Sequence, residues 1–379
     1  MNENSNSVDC IVVGGGLLGL LSARALVQEG MSVALLERGE LCRESSWAGG
    51  VIISPLVPWE YPDAVNELVR WSQQHYSKLA FDLLEQTGID PEWTQSGMLL
   101  TGRTADATVS AWLEKYPCPL TEVPAGEVRA VEPGLALESG PALLLPGIAQ
   151  VRNPRLGRAL ARSLALQGAG LREQCRVTGL QIKAGAVQGV TTAQGNFTAE
   201  CVVIAGGAWS PVILKDQVPG IPVQPVLGQM ILFEAKPGLL RHIVVHDGCY
   251  LIPRRDGLIL AGSTLEYTGY RKHTTREARD RLAAVALKLL PELTDYRIVG
   301  HWSGLRPGTP NGIPLIGEVN EISGLFLNTG HFRNGVGMAP AAARLLVDGM
   351  LGRVSVTDPR PYAPKRPAGR NGRVDLTGL

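Results

Sequence analysis

The sequence predicts an α/β chain in which a domain built on a parallel sheet is interleaved with an α+β domain built on an antiparallel sheet. Three observations predict it. Short apolar runs at 10–13, 201–205 and 325–328 each lead into a glycine-containing loop, as buried parallel strands do when they bring bare backbone to a ligand. Two of those loops, 14–19 and 329–337, open helical patterns. Residues 223–262 instead alternate along longer strands, the signature of an antiparallel sheet with two unlike faces.

The first run, Cys10-Ile-Val-Val13, enters Gly14-x-Gly16-x-x-Gly19. A helix follows over 17–28, with Leu18, Leu21, Ala25 and Gln28 at helical spacing and Gly30 as its stop. The next apolar run, 32–36, ends on Glu37. Strand, glycine triplet, helix, strand and acid together make the Rossmann-type dinucleotide fingerprint in its required context. Gly14 permits the tight turn, Gly16 admits a pyrophosphate against bare backbone, and Gly19 lets the helix pack on the sheet. The helix amino terminus at Leu17 and Leu18 offers N–H groups and partial positive charge to phosphate. Glu37, with Arg38 beside it, is placed to accept hydrogen bonds from ribose hydroxyls and disfavours a 2′-phosphate. The ligand is therefore an adenine dinucleotide, NAD or FAD.

Small residues at Ser45, Ser46, Ala48, Gly49 and Gly50 let backbone approach an anion or a flat ring. An NAD enzyme is expected to continue into another β-α unit here, so this loop favours a flavin. Residues 64–87 form the longest helical pattern, closed by Gly88. A strand over 96–101, mixed signals over 104–140 and an extended run over 143–151 follow. Asn153-Pro154 opens a helix to about 166. Strand signals at 175–182, 186–192 and from Phe197 form a three-stranded excursion, which returns through 201–205 to Ala205, Gly206, Gly207, Ala208 and Trp209. Strands at 226–233, 242–245, 249–253 and 258–262, a helix over 276–290 and a strand over 296–305 complete the antiparallel part. The last β-α unit runs from 325–328 through Gly330, His331, Phe332, Arg333, Asn334 and Gly335 into a helix over 339–351. This divides the chain into a parallel-sheet domain (1–55, 150–220, 312–352), an antiparallel domain (56–149, 221–311) and a flexible tail (353–379).

Composition narrows the function. The 36 basic and 35 acidic residues balance, which excludes nucleic acid and anionic membrane as expected partners. The most apolar stretch, 11–27, is broken by glycines and carries Arg24, so no integral membrane segment is expected. Nothing basic precedes it, unlike a secretory signal, and six cysteines lie without metal or disulfide spacing. A cytoplasmic protein with no metal site is the expectation. A homo-oligomer is compatible with all of this.

Taken together, these pieces resemble the FAD-dependent D-amino-acid oxidase superfamily, and within it the bacterial glycine oxidases of thiamine biosynthesis, over residues 8–351. The most specific pieces are the 45–50 run Ser-Ser-Trp-Ala-Gly-Gly with Ser54-Pro55-Leu56 and Pro58-Trp59. With them go the 302–308 run Trp-Ser-Gly-Leu-Arg-Pro-Gly and the 330–335 run Gly-His-Phe-Arg-Asn-Gly. The resemblance implies that the backbone of Val177 contacts adenine, that the 45–50 loop lines the flavin, and that the 330–335 loop and its helix face the flavin pyrimidine edge. It implies that Arg306 pairs with a substrate carboxylate, Tyr250 hydrogen-bonds it and Arg333 lies nearby. Planar Arg forks and a phenol suit that task. Gly248 stands where some relatives carry a histidine, and Leu265 where one has methionine. Val51, Leu265 and Tyr250 are the expected walls of a small pocket. No cysteine lies near 312–317, where covalent relatives attach their flavin, so FAD is expected to be noncovalent. The implied reaction oxidises glycine, sarcosine or small D-amino acids with molecular oxygen, giving an imine, then glyoxylate and ammonia, and hydrogen peroxide. The alternative is a D-amino-acid dehydrogenase of the same fold that uses a quinone or a protein electron acceptor.

Overall fold

Alternation along the first strand sorts the molecule into layers. In the computed structural model, which describes residues 6–136 and 140–364, Cys10–Val13 lies inside a six-stranded sheet. Its neighbours are Val33–Leu36 on one side and Cys201–Ile204 on the other, both parallel to it. Cys10 and Val12 face a core shared with the helices Leu17–Gln28, Asp63–Thr87, Asn153–Leu166 and Gly335–Met350. Ile11 and Val13 face the opposite core, closed by Val177, Val187, Val190 and Phe197. Those four belong to a separate three-stranded antiparallel sheet, Val177–Lys183, Ala186–Thr192 and Gly195–Thr198, the excursion that the sequence predicts.

The expected elements are present with small shifts in their ends, and three strands were not expected, one of them Thr121–Val123 in the stretch of mixed signals. Gly170–Arg172 extends the six-stranded sheet beyond Val33–Leu36. Leu315–Glu318 closes its other edge, antiparallel to Leu325–Thr329. The 45–50 stretch, expected as a loop, contains a single helical turn, Ser45–Ala48. The last helix begins at Gly335 and carries Pro340 in its second turn; proline has no N–H for the Val336 carbonyl one turn back, and that oxygen accepts instead from the Tyr76 hydroxyl at 2.7 Å.

The second sheet has eight strands. In order they are Ile298–Gly308, Gln224–Glu234, Leu258–Gly262, Cys249–Pro253, Ile243–His246, Met98–Thr101, Ala142–Leu145 and Thr121–Val123. It is antiparallel except where Ile243–His246 runs parallel to Met98–Thr101. Period-two alternation again separates its faces. Ile231, Leu251, Ile259 and Ala261 pack with the helix Arg276–Leu289, while Met230, Tyr250, Ile252 and Leu260 pack with Ile52, Leu56 and Val57. The second face is the one turned toward the six-stranded sheet's glycine loops. Of the 353–379 segment expected to be flexible, the described part ends in a 3-10 turn, Arg360–Tyr362. There Tyr362 is fully buried and its hydroxyl donates to the Ala64 carbonyl at 2.7 Å; residues 365–379 lie outside the described residues. Among the described residues no helix is long and apolar enough to cross a membrane.

Candidate active site

Three strands of the six-stranded sheet end at the same edge: Val13 runs into Gly14, Ile204 into Ala205 and Gly206, and Thr329 into Gly330. That is where ligands sit on open parallel sheets. A cavity of about 250 Å³ follows the edge. Gly14, Gly16, Leu17 and Leu18 border it together with Glu37, Arg38, Ser45 and Ser46, and Val177, Ala205, Gly206, Trp209 and His331 complete the predicted set on its walls. A second cavity of about 110 Å³ adjoins it, sharing Leu17, Leu18, Ser45, Ser46, Pro307 and His331. Its own walls bring together Gly49, Gly50, Tyr250 and Arg306 with Phe332, Arg333, Asn334 and Gly335. Residues from widely separated parts of the sequence thus meet around two adjoining spaces.

Gly19, Ala48 and Gly330 stand behind these walls. A Cβ on Gly19 would lie 1.9 Å from the Gly14 carbonyl oxygen, so its task is close helix-to-strand packing. Ala48 accepts a hydrogen bond from Trp302 Nε1 at 3.1 Å through its carbonyl. Gly330 turns the chain with φ +80°, which a residue with a Cβ rarely adopts. Leu265, expected as a pocket wall, is not on the cavity. Ser263 is the residue of that segment that borders it, and Ile52, Ser54 and Leu56 supply the remaining wall beside Val51.

The glycine loop is more committed than its sequence suggests. Glu37 Oε2 accepts from Gly15 N at 2.7 Å and its Oε1 from Gly39 N at 2.9 Å. The carboxylate therefore braces the loop, and its remaining lone pairs are what a ribose would use. The Leu17 amide donates to Ser46 Oγ at 2.9 Å, tying the 45–50 segment to the helix start. Arg38 lies 3.7 Å over the Trp209 ring and pairs with Glu44 at 2.9 Å.

Arg306 lies on Ile298–Gly308 opposite Val226, and its guanidinium crosses to Gly228, where an added Cβ would meet it at 2.2 Å. Its Nη2 donates to Ser263 Oγ at 2.8 Å, and its Nη1 to the Thr264 carbonyl at 3.1 Å and the Leu227 carbonyl at 3.4 Å. Burial pulls its pKa below the ordinary arginine value, partly opposed by the neighbouring Tyr250; an arginine remains a cation even so. Among the described residues no carboxylate pairs with it and none borders this cavity. Tyr250 is buried; among the described residues its hydroxyl donates to Met230 Sδ at 3.4 Å, and its oxygen lies beside the Arg306 guanidinium. Gly228, Ser263 and Arg254 are site residues that the sequence reading missed. Arg254 acts from behind: its Nη2 donates to the Gly50 carbonyl at 3.0 Å, next to Val51, whose φ of 65° is an outlier for a β-branched residue.

The FAD implied by the sequence was tested against the polar atoms that the walls leave unsatisfied. Asn328 and His331 border the larger space and Asn334 the smaller, and Asn328 Oδ1, His331 Nε2 and Asn334 Nδ2 are buried without a partner among the described residues. Such groups are costly unless a ligand meets them. Burial takes the His331 imidazole down to about 3, so it is neutral. Bare glycine backbone at one end, unpaired amide and imidazole groups at the other and a helix amino terminus between the spaces fit a long polar ligand with a flat ring system.

Comparison with known proteins agrees with this reading. Residues 9–349 match the family model described as FAD dependent oxidoreductase. A glycine oxidase of Pseudomonas aeruginosa is 48% identical over 93% of this chain and 98% of its own length. A Synechocystis protein named bifunctional protein ThiO/ThiG is 30% identical over 94% of this chain, which spans 54% of that longer protein. The crystal structure of glycine oxidase from Geobacillus kaustophilus superposes with a TM-score of 0.90 at 29% identity, over 96% of this chain and all of that one (100%). With the fold, the glycine-lined edge and the paired cavities in place, these likenesses establish that the chain belongs to the FAD-dependent oxidoreductases of the D-amino-acid oxidase type, enzymes that act on amino groups.

Proposed function

We propose that the chain oxidises glycine, and with it sarcosine and small D-amino acids. Glycine, water and oxygen would give glyoxylate, ammonia and hydrogen peroxide. The glycine-lined space would hold FAD through Gly14, Gly16, the Leu17–Gln28 helix start, Glu37, Val177 and Trp209, without a covalent link. Ser45, Ser46, His331 and Asn334 would meet its ring system. The chemistry supplied by bound FAD is two-electron oxidation. We read the six-stranded body as the cofactor-holding domain and the eight-stranded sheet as the substrate domain. A place in thiamine biosynthesis fits this activity.

The observation that carries the reading is an arginine without a carboxylate. Arg306 holds its positive charge in the wall of a space of about 110 Å³, beside the Tyr250 hydroxyl. A carboxylate entering there gives up water and needs a fixed cation in return. The space suits a substrate with little beyond Cα. No side chain there serves as a base: carboxylates are absent from the described wall, and His331, held near 3 by burial, is too weak. The amine therefore has to lose its proton to solvent on the way in, so kcat/KM for glycine rises with pH across the alkaline range.

Replacing Arg306 tests the assignment. Losing one partner of a desolvated charge pair costs about 2–5 kcal/mol, so Arg306→Ala should lower kcat/KM for glycine roughly 30- to 3,000-fold with FAD content unchanged. Arg306→Lys should recover little, because a point charge lacks the fork. Peroxide formed one for one with glyoxylate supports the oxidase; glycine oxidation without peroxide moves the reading to a dehydrogenase. An Arg306→Ala enzyme that keeps flavin and still handles glycine like the parent removes the proposal.

A further inference from the structure

Arg306 is held by a hydroxyl to which the proposed function gives no role. Its Nη2 donates to Ser263 Oγ at 2.8 Å, and Ser263 borders the same space of about 110 Å³. A guanidinium has donors and no acceptor, so the serine oxygen must accept in this contact. Its own O–H is then left to give, and among the described residues it donates to none. Nearby groups do not compete for it. Thr264 Oγ1 donates to Glu266 Oε1 at 2.5 Å and accepts from Gln229 N at 2.9 Å. The Thr264 carbonyl is occupied by Arg306 Nη1 at 3.1 Å. Among the described residues the Tyr250 proton likewise finds only a thioether, a weak acceptor, at 3.4 Å. Two hydroxyls with protons to give thus border, beside a guanidinium, a space whose walls include no carboxylate.

We propose that Ser263 is a substrate-binding residue that holds Arg306 through its oxygen while donating its O–H to the substrate carboxylate. The anion would then meet three protein groups, Arg306, Tyr250 and Ser263. This rests on the reading that Arg306 receives a carboxylate, and it reaches beyond α-amino acids to simple carboxylates that occupy the same place.

The test is a titration of the FAD-loaded protein with acetate, followed by flavin absorbance, together with steady-state kinetics on glycine. Parent, Ser263→Ala, Ser263→Thr and Arg306→Ala are compared. A hydrogen bond to a charged group sets the expected size, so Ser263→Ala should weaken acetate about tenfold. It should raise KM for glycine by a similar factor and leave kcat within about twofold. Ser263→Thr, which keeps the hydroxyl, should restore most of both. If Ser263→Ala loses FAD, Ser263→Cys is read in its place, with the same expected loss. Acetate and glycine bound as in the parent by Ser263→Ala, while Arg306→Ala loses them, would overturn the role of Ser263 and leave that of Arg306 standing. Loss of kcat that threonine does not rescue would also overturn it, as a packing effect. If Arg306→Ala itself binds acetate like the parent, both readings fall.

Discussion

His331 carries the sharpest conflict between burial and charge in the site. It is 1% exposed, its Nε2 has no partner among the described residues, and burial brings its pKa from 6.5 to about 3. The unfolded chain takes up a proton here as pH falls through 6.5, and the folded chain refuses it until about 3. Wherever the unfolded state binds more protons, stability falls with falling pH. His331 therefore has no effect above that window, destabilises progressively through it, and changes nothing further below it. The full effect is at most about 5 kcal/mol, taking about 1.4 kcal/mol per pH unit. His331→Gln removes the titration and keeps a polar group on the wall. Its melting temperature should fall less steeply than the parent's between about pH 6 and pH 4; parallel curves would mean that the imidazole charges freely in the folded protein. The same residue scale explains why Arg254 matters at a distance. Its three donations, to Gln150 Oε1, the Val151 carbonyl and the Gly50 carbonyl, tie the residue before the strained Val51 to the 150–151 segment, whose Val151 amide donates to the Val51 carbonyl at 3.4 Å.

Strand pairing decides where Arg306 points. On the antiparallel pair of Gln224–Glu234 and Ile298–Gly308, Gly228 stands opposite Gly304, two residues along from Arg306 opposite Val226. Diagonal neighbours on one face are within reach of a long side chain, and the guanidinium lies where a Gly228 Cβ would be, 2.2 Å away. Gly228→Ala must push it off its three acceptors or move the strand. Overpacking of this kind costs about 1–3 kcal/mol; it should appear as roughly a 5- to 150-fold loss of kcat/KM for glycine at near-normal FAD content. Parent-like activity in Gly228→Ala would show that Arg306 does not need this seat. The β-α-β unit at 10–37 was legible because strand, glycines, helix and acid are contiguous in sequence. Gly228 and Ser263 were not, since each is defined by a guanidinium on another strand. The strand Gly170–Arg172 was missed because three residues carry no periodicity. The parallel contact between Ile243–His246 and Met98–Thr101 is a tertiary pairing that neither segment encodes alone. Leu265 was misplaced as a wall because position along the chain does not say which side of a turn faces the cavity.

At the scale of the molecule, the larger cavity is where separately built layers meet. Its walls come from the six-stranded sheet, from Val177 and Thr178 of the three-stranded sheet, and from Pro307 of the eight-stranded one. A ligand bound there touches all three, so occupancy and folding are linked. Each tenfold rise in free FAD above its Kd should add about 1.4 kcal/mol of stability, seen as a melting temperature that climbs with the logarithm of FAD concentration. Glu37 separates ligand binding from scaffold. Its carboxylate satisfies the amides of Gly15 and Gly39 before any ribose arrives, and a buried amide left unpaired costs about 1–3 kcal/mol. Glu37→Ala should therefore melt lower than the parent with FAD stripped from both, and should also need more FAD to reach the same rise. If the stripped proteins melt together and only the FAD dependence shifts, Glu37 serves the ribose alone. If the stripped variant melts lower while the FAD dependence is unchanged, its work is confined to the loop and the ribose is recognised elsewhere on the edge. The brace predicts both shifts, because one carboxylate holds the turn in the shape that the cofactor then meets.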